Sequence, residues 1–555
     1  MSKKRFAFID AIRRRSSEAE NHLVDEYVAG RLSRRELLRR GSVFGMSAPL
    51  LGGLVGGIDL LGLSSAHAAT GKPGGTVRAA IIVPAGAIDP MTVADASGSA
   101  MLQQTGEFLV MDNAYLRLKP ALATSWKPNA DATVWTFKLR KGVKFHNGHA
   151  LVADDVVATM DRLADPKLAS NALSVFQGVL SKGNTKKVDD YTVEFHLDAP
   201  NGNFPYYVSS DNYNAIILPA DYQGGYEKDF NGTGPFKLEK YTPKVGASFV
   251  RNEDYWGPKA LPDRVEFTYY ADQQAQILAL QGRQVDVVCQ FSVQGGQALL
   301  GDPAFNIIAL KSSAHNQVHM RCDLDPFKDK RVRRAIALSL DRAGLVKGLF
   351  RGRADLGNDS PFAPVFPSTN KSVPQRHKDL RQAKELLEAA GIKDGLTINL
   401  TTEQFIEIPA YAQLVQASAK EIGITINLKV ESQDAYYGKA VFGQSDWLDA
   451  QMGITDYAHR GIPNILLAAP LTSAGTWNSA HFKNKEYDSL VASYIATIDL
   501  QTQRDAAGKI ETLLLDESPV LFTYFYDFLT ATTKGLKGVQ PLATSQIYFD
   551  RASFA

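Results

Sequence analysis

The sequence predicts an α/β protein with more than one lobe, and three observations carry that prediction. Strand-like runs and amphipathic helical runs succeed one another from Thr76 onward without long linkers. Residues 381–430 read as helix, strand, helix, strand in close succession. A length of 555 residues leaves room for about two to four domains.

Taken in order, Trp135, Phe137 and Leu139 alternate as a strand. Lys141-Gly142 marks a turn, and Val143 and Phe145 open a second strand. Ala153-Asp154-Asp155 then caps a helix running through Leu163. Gly232, Gly234 and Pro235 predict a tight turn in which glycine permits positive φ. Asp272 is the expected N-cap of a helix to Gln281, with Gly282 just past its end, feeding a short buried strand Val285–Val288. A helical stretch, Arg331 to Phe350, precedes a loop from Ser360 to Pro374 that holds four prolines.

The clearest unit comes next. Ala383, Leu386, Leu387 and Ala390 recur at helical spacing, and Gly391 stops the helix. Leu396, Ile398 and Leu400 alternate as a half-buried strand. A helix near Ala410 to Ile422 ends at Gly423, and Ile424, Ile426, Leu428 and Val430 alternate in turn. Strand–helix–strand predicts a parallel pair with a right-handed crossover. In such sheets ligands sit beyond the carboxyl ends of the strands. Neither an internal repeat nor a low-complexity tract interrupts the pattern.

Composition narrows the function classes. Of 61 Lys/Arg and 59 Asp/Glu, 11 and 7 fall in the first 68 residues, leaving 50 and 52 in the body. A body so nearly neutral argues against nucleic acid as a partner. The two cysteines, Cys289 and Cys322, lack metal-site spacing and stand either as one bridge or as two free buried thiols. Ten histidines contain no His-Glu-x-x-His helix, and no Gly-x-Ser-x-Gly elbow or phosphate-cradling loop occurs. Ser368 and Lys371 match Ser-x-x-Lys, but Pro367 and Pro374 bracket them in a loop, whereas that chemistry needs both on one helical turn. Asp154 and Asp155 fit helix capping better than acid–base work. The chain is therefore expected to be no enzyme and to need no cofactor or metal.

The N-terminus reads as an address. Arg34 and Arg35 precede Leu37 and Leu38, then comes an apolar stretch from Val43 to Leu63, then Ala66-His67-Ala68. Paired arginines, an apolar segment and small residues at −3 and −1 are the parts of an export signal, here of twin-arginine type, over residues 1–68. Six glycines and Asp59 dilute the apolar segment relative to a membrane span. A retained N-terminal anchor is the other reading.

Four segments carry a resemblance to a known family. They are Leu122–Trp126 with Trp135–Gly148 and Ala153–Val157; Gly232–Phe236 leading to Arg251–Gly257; Pro326–Ile336 with Asp341-Arg342; and Gln382–Gly391. In that order they resemble the extracellular solute-binding proteins that include the oligopeptide-, dipeptide- and nickel-binding proteins. Most of these residues read as scaffold. The resemblance implies a two-lobed periplasmic-binding-protein fold with a subdomain inserted in the first lobe. The first lobe would comprise residues 69–105, 197–308 and 525–555, the insert 106–196 and the second lobe 309–524. It also implies a monomer in the periplasm that carries a small organic ligand to ABC permease subunits in the inner membrane. A sensor or peptide chaperone would bind without supporting uptake.

Site residues follow from the same resemblance. In peptide-binding relatives an aspartate in a Trp-x-x-Asp-Tyr-like loop takes the peptide's α-amine, and the match is Gly453–Tyr457, with Asp456 and Tyr457. Asp456 is otherwise a surface or hinge-loop carboxylate. Arg460 stands where the relatives carry other residues; it would meet a ligand carboxylate or pair with Asp456. Trp477-Asn478, Tyr524 and Tyr526 fall where family members line the cleft, although Pro519–Phe525 also reads as a buried strand. A peptide-like ligand is expected, with an opine, oligosaccharide or other organic anion as the alternative.

Overall fold

Alternating apolar residues in the strand Thr76–Ile82 supply two cores at once: Val77, Ala79 and Ile81 join one buried cluster and Ala80 the other. Opposite-facing side chains on successive residues make this possible, so the strand is covered on both faces. It lies inside a seven-stranded mixed sheet ordered Phe305–Leu310, Phe528–Thr533, Val287–Phe291, Thr76–Ile82, Arg264–Tyr270, Gly246–Arg251 and Phe236–Thr242. A second sheet has five strands, Ile424–Glu431, Leu396–Glu403, Met452–Tyr457, His315–Met320 and Val520–Leu521. A third, four-stranded and antiparallel, joins Ala123–Pro128, Val134–Leu139, Thr192–His196 and Thr185–Asp189. This computed structural model describes residues 71–555 apart from Tyr115 and Ala169. The expected signal, with Arg34, Arg35, Ala66 and Ala68, lies outside the described residues. No helix among the described residues is long and apolar enough to cross a membrane.

The strand–helix–strand unit forms as its periodicity predicts. Leu396–Glu403 pairs parallel with Ile424–Glu431, Leu396 opposite Ile424, joined by the helix Ile408–Lys420. The preceding helix spans Leu380–Ala389, with Asp379 accepting from Gln382 N–H and Gly391 at φ +84°. Asp272 caps Gln273–Gln281 by accepting from Ala275 N–H.

Four local readings are corrected. Arg331–Phe350 is two helices, Lys330–Ser339 and Arg342–Phe350, because Asp341 caps the second by accepting from Gly344 N–H. The strand expected at Val285 starts at Val287, since Asp286 is held by Arg78 through contacts of 2.9 and 3.0 Å. Val143–Phe145 forms no strand; only the bridge Lys144–Ala150 remains. Gly232 and Gly234 do not adopt positive φ. Their reason is space: a Cβ there would lie 1.9 and 2.8 Å from the Thr105 carbonyl oxygen.

The second family-like segment has a buried focus. Glu107 accepts at 2.7 Å from each of Thr233 Oγ1, Tyr255 O–H and Trp256 Nε1–H. Burial raises its carboxyl to about 7 while those three donors pull it back. Three residues of that segment thus fasten the loops flanking Phe236–Thr242 and Gly246–Arg251 to Glu107. Asp155 likewise accepts from Val152 N–H at 2.8 Å at its helix start.

Candidate functional site

Chain passes between the two large sheets twice, at residues 311–314 and at residues 524–527. The passages run side by side. Tyr526 N–H donates to the Ala314 carbonyl at 3.0 Å, and the Ser312 hydroxyl donates to the Tyr526 carbonyl. Lys311 bridges Asp527 at 3.0 Å and Asp355 at 2.9 Å.

Beside this passage, at the carboxyl ends of Thr76–Ile82, Val287–Phe291, Leu396–Glu403 and Met452–Tyr457, lies a cavity of about 440 Å³. That is where an α/β sheet presents ligands. One wall belongs to the seven-stranded sheet and its helix: Ile81, Ile82, Gln276 and Gln290 among others. The facing wall carries Phe405, Ile406, Glu407, Asp456 and His459. Apolar walls with a few placed polar groups suit an organic ligand. Ile406 holds φ +39°, an outlier for a β-branched residue that projects it at the cleft.

Asp456, next to last in its strand, lies opposite Asn316, and its Oδ1 accepts from the Tyr526 hydroxyl at 2.8 Å. Glu407 accepts from Asn316 Nδ2 at 3.1 Å, and that amide also donates to the Tyr524 hydroxyl at 2.9 Å. Behind them Glu403 accepts from Tyr437 O–H at 2.9 Å and Gln433 Nε2 at 2.7 Å. Burial pushes the Asp456 carboxyl up to about 7, with the charges of Glu407 and Glu403 adding to it and the Tyr526 bond opposing. Glu407 is raised by burial as well. Glu407 and Asp456 thus share one wall of the cavity, and among the described residues no lysine or arginine lines it.

This raised value has a stability consequence. The folded Asp456 binds its proton more tightly than the ordinary 3.8 of an exposed aspartate. The contribution of Asp456 to stability is therefore fullest below about pH 4 and is lost as pH rises through about 7, where the carboxyl must ionise in the folded state. Ligand-free Asp456→Asn should be more resistant to urea than the wild type at pH 8. The difference should vanish near pH 4.

The other expected residues disperse. Tyr526 joins Asp456 at the cavity. Tyr457 sits one layer behind, stacked on His315 at 5.5 Å and 11°, and Trp477 packs on Tyr457 at 6.2 Å. Tyr524 is wholly buried against Phe350 at 4.6 Å and Tyr411 at 5.1 Å. Asn478 braces its own loop, with Nδ2 donating to the Phe482 carbonyl at 2.8 Å and Oδ1 accepting from Phe482 N–H at 3.0 Å. Arg460 makes no ion pair with Asp456. Its N–H donates to Ser313 Oγ at 2.9 Å and its carbonyl accepts from the same hydroxyl at 2.9 Å. That turn sends the guanidinium to a separate small cavity beside Asp211. Cys289 and Cys322 are both free thiols, and Cys289 lines the main cavity. Glu407, Phe405 and Gln276 also line the cavity, and motif matching missed them. The strand-end rule, applied to Glu403 and the residues after it, would have found the first two.

A two-sheet cleft with apolar walls and a few placed polar groups on each side is the architecture of a solute-binding protein. Residues 117–462 match the family model of the bacterial extracellular solute-binding proteins, family 5, middle region. The chain belongs to that family. The dipeptide-binding protein of Escherichia coli is 25% identical over 81% of this chain and 89% of its own length. Among solved structures, HbpA2 from Haemophilus parasuis matches with a TM-score of 0.76 and 22% identity, over 87% of this chain and 100% of its own. DppA from Helicobacter pylori, in complex with the peptide STSA, matches with a TM-score of 0.70 and 22% identity, over 87% and 98%. These structures share the two-lobed fold.

Proposed function

We propose that the chain is the periplasmic substrate-binding component of an ABC importer. It captures a peptide-like amine between two closing lobes and hands it to permease subunits in the inner membrane. One observation carries the reading: Asp456 stands at the cavity beside Glu407, with a hydroxyl as its side-chain partner. Family membership and the peptide-binding relatives agree with it. The lobes are residues 69–105, 197–308 and 525–555 on one side and 309–524 on the other, with 106–196 as the insert. Export through the twin-arginine-type segment at residues 1–68, and action as a monomer, belong to the same reading. Closure follows from linkage, because only the closed form touches the solute with both walls. An organic anion is disfavoured by the acidic wall and by the turn that carries Arg460 away.

Native mass spectrometry of the purified protein, with bound solute released and identified, tests this. An amine-bearing molecule recovered intact is the expected result; an amine-free anion would overturn it. Binding should also move a proton. Near pH 6 the empty-cleft Asp456 is largely protonated, since its carboxyl titrates about 7. An arriving ammonium favours the carboxylate and expels that proton. Titration calorimetry in two buffers of different ionisation enthalpy should record proton release at pH 6, with weaker affinity there than at pH 7.5.

A further inference from the structure

The charge on the cavity walls has one sign. Among the described residues, its lining contains the carboxylates of Glu407, Asp456 and Asp527 and neither lysine nor arginine. Asp527 is already matched by Lys311, which is itself held between Asp527 and Asp355. His459 supplies no charge: its Nδ1 accepts the Ser313 N–H at 2.9 Å, and burial keeps its ring neutral, with the pKa lowered to about 3. Arg460 faces Asp211 in the other cavity.

The wall opposite the acids is polar but uncharged. Gln273, Gln276 and Gln290 stand there with Ser97, Ser292 and Ser545. Gln273 is engaged, its Oε1 accepting from Ser292 N–H at 3.0 Å. Gln276 is only 2% exposed, and its Oε1 has no hydrogen-bond partner. Such a wall satisfies amides and hydroxyls. A carboxylate brought there would be desolvated without a counter-charge, which is strongly unfavourable.

Resting on the amine reading above, we infer that this cleft selects solutes whose only charge is cationic. They carry an amine head for Asp456 and Glu407 and a neutral amide- or hydroxyl-bearing body for the glutamine wall. A free carboxylate at the far end is discriminated against, so the short zwitterionic peptides are poor ligands.

Three tripeptide libraries of identical composition decide this: one with free termini, one amidated at the carboxyl end, one acetylated at the amine. Offered together at equal concentration to the purified protein, they compete in a single native mass spectrum. The amidated set should be captured at least tenfold over the free-acid set, and the acetylated set not at all. Capture of the free-acid set at equal or greater abundance overturns the carboxylate-free inference and leaves amine recognition standing. Capture of the acetylated set on a par with the amidated one, or of no set, overturns both. Gln276→Arg places a cation on the neutral wall, and it should swing the preference toward the free acids. An unchanged preference in that variant, folded by its circular dichroism, also counts against the inference.

Discussion

Asp456→Ala should weaken binding of an amine-bearing solute by about 30- to 5,000-fold, the effect of about 2–5 kcal/mol that follows from truncating one member of a buried, hydrogen-bonded charge pair. The ammonium would then face Glu407 alone, with the Tyr526 hydroxyl left without its acceptor. Asp456→Asn separates charge from shape: the amide oxygen keeps the Tyr526 bond, so a comparable loss assigns the effect to the charge. Arg460→Ala provides the contrast. Its guanidinium lies beside Asp211 and outside the main cavity, so affinity should stay within about twofold. Calorimetric titration of all three variants with one ligand checks the set. A large loss in Arg460→Ala with none in Asp456→Ala would reverse the assignment of the site.

The second large effect concerns stability. Asp359 is fully buried at φ +52°, and its Oδ2 accepts at 2.6 Å from both Arg342 and Arg376, whose side chains are 3% and 8% exposed. Arg342 also donates to the Ala337 carbonyl at 3.1 Å, and Arg376 to Ser518 Oγ at 3.1 Å and the Leu515 carbonyl. Three helices, Lys330–Ser339, Arg342–Phe350 and Leu500–Glu517, meet through this one carboxylate. Asp359→Ala strands two guanidinium charges in a dry interior and should cost about 3–5 kcal/mol. Urea unfolding would register it as a lower midpoint at unchanged slope. Replacing Asp359, Arg342 and Arg376 together by Leu and Met should cost less than the single change, because no uncompensated charge remains. A single variant as stable as the wild type would mean that water reaches the cluster.

Local pattern foretold much of the fold because local physics decides it. Asp272 and Gly391 cap or stop helices through bonds made within a few residues, and the alternation in 396–430 dictates a parallel pair. The Asp341 cap was a local signal passed over; two other failures were long-range. Nothing near Gly232 announces that Thr105 will press on it, and nothing near Asp286 announces Arg78, 208 positions away. The site was half legible. Asp456 and Tyr526 meet at the cavity, but Arg460, four residues past Asp456, is turned elsewhere by Ser313, from a distant part of the chain. Glu407 was missed because a carboxylate before a helix reads as a cap until the sheet that aims it is known.

The strand order of the first sheet governs how the molecule is made. Phe528–Thr533 is an interior strand, inserted between Val287–Phe291 and Phe305–Leu310 and paired with both. Every strand of the second sheet precedes Phe522 in the chain, so that sheet can pair before the first is complete. The first sheet stays in two pieces, with a gap the width of one strand, until the last few dozen residues emerge. A stalled or C-terminally clipped chain would expose two unpaired strand edges there, the kind of template on which chains aggregate. The first wall of the cleft is therefore complete only once Phe528–Thr533 has paired on both sides.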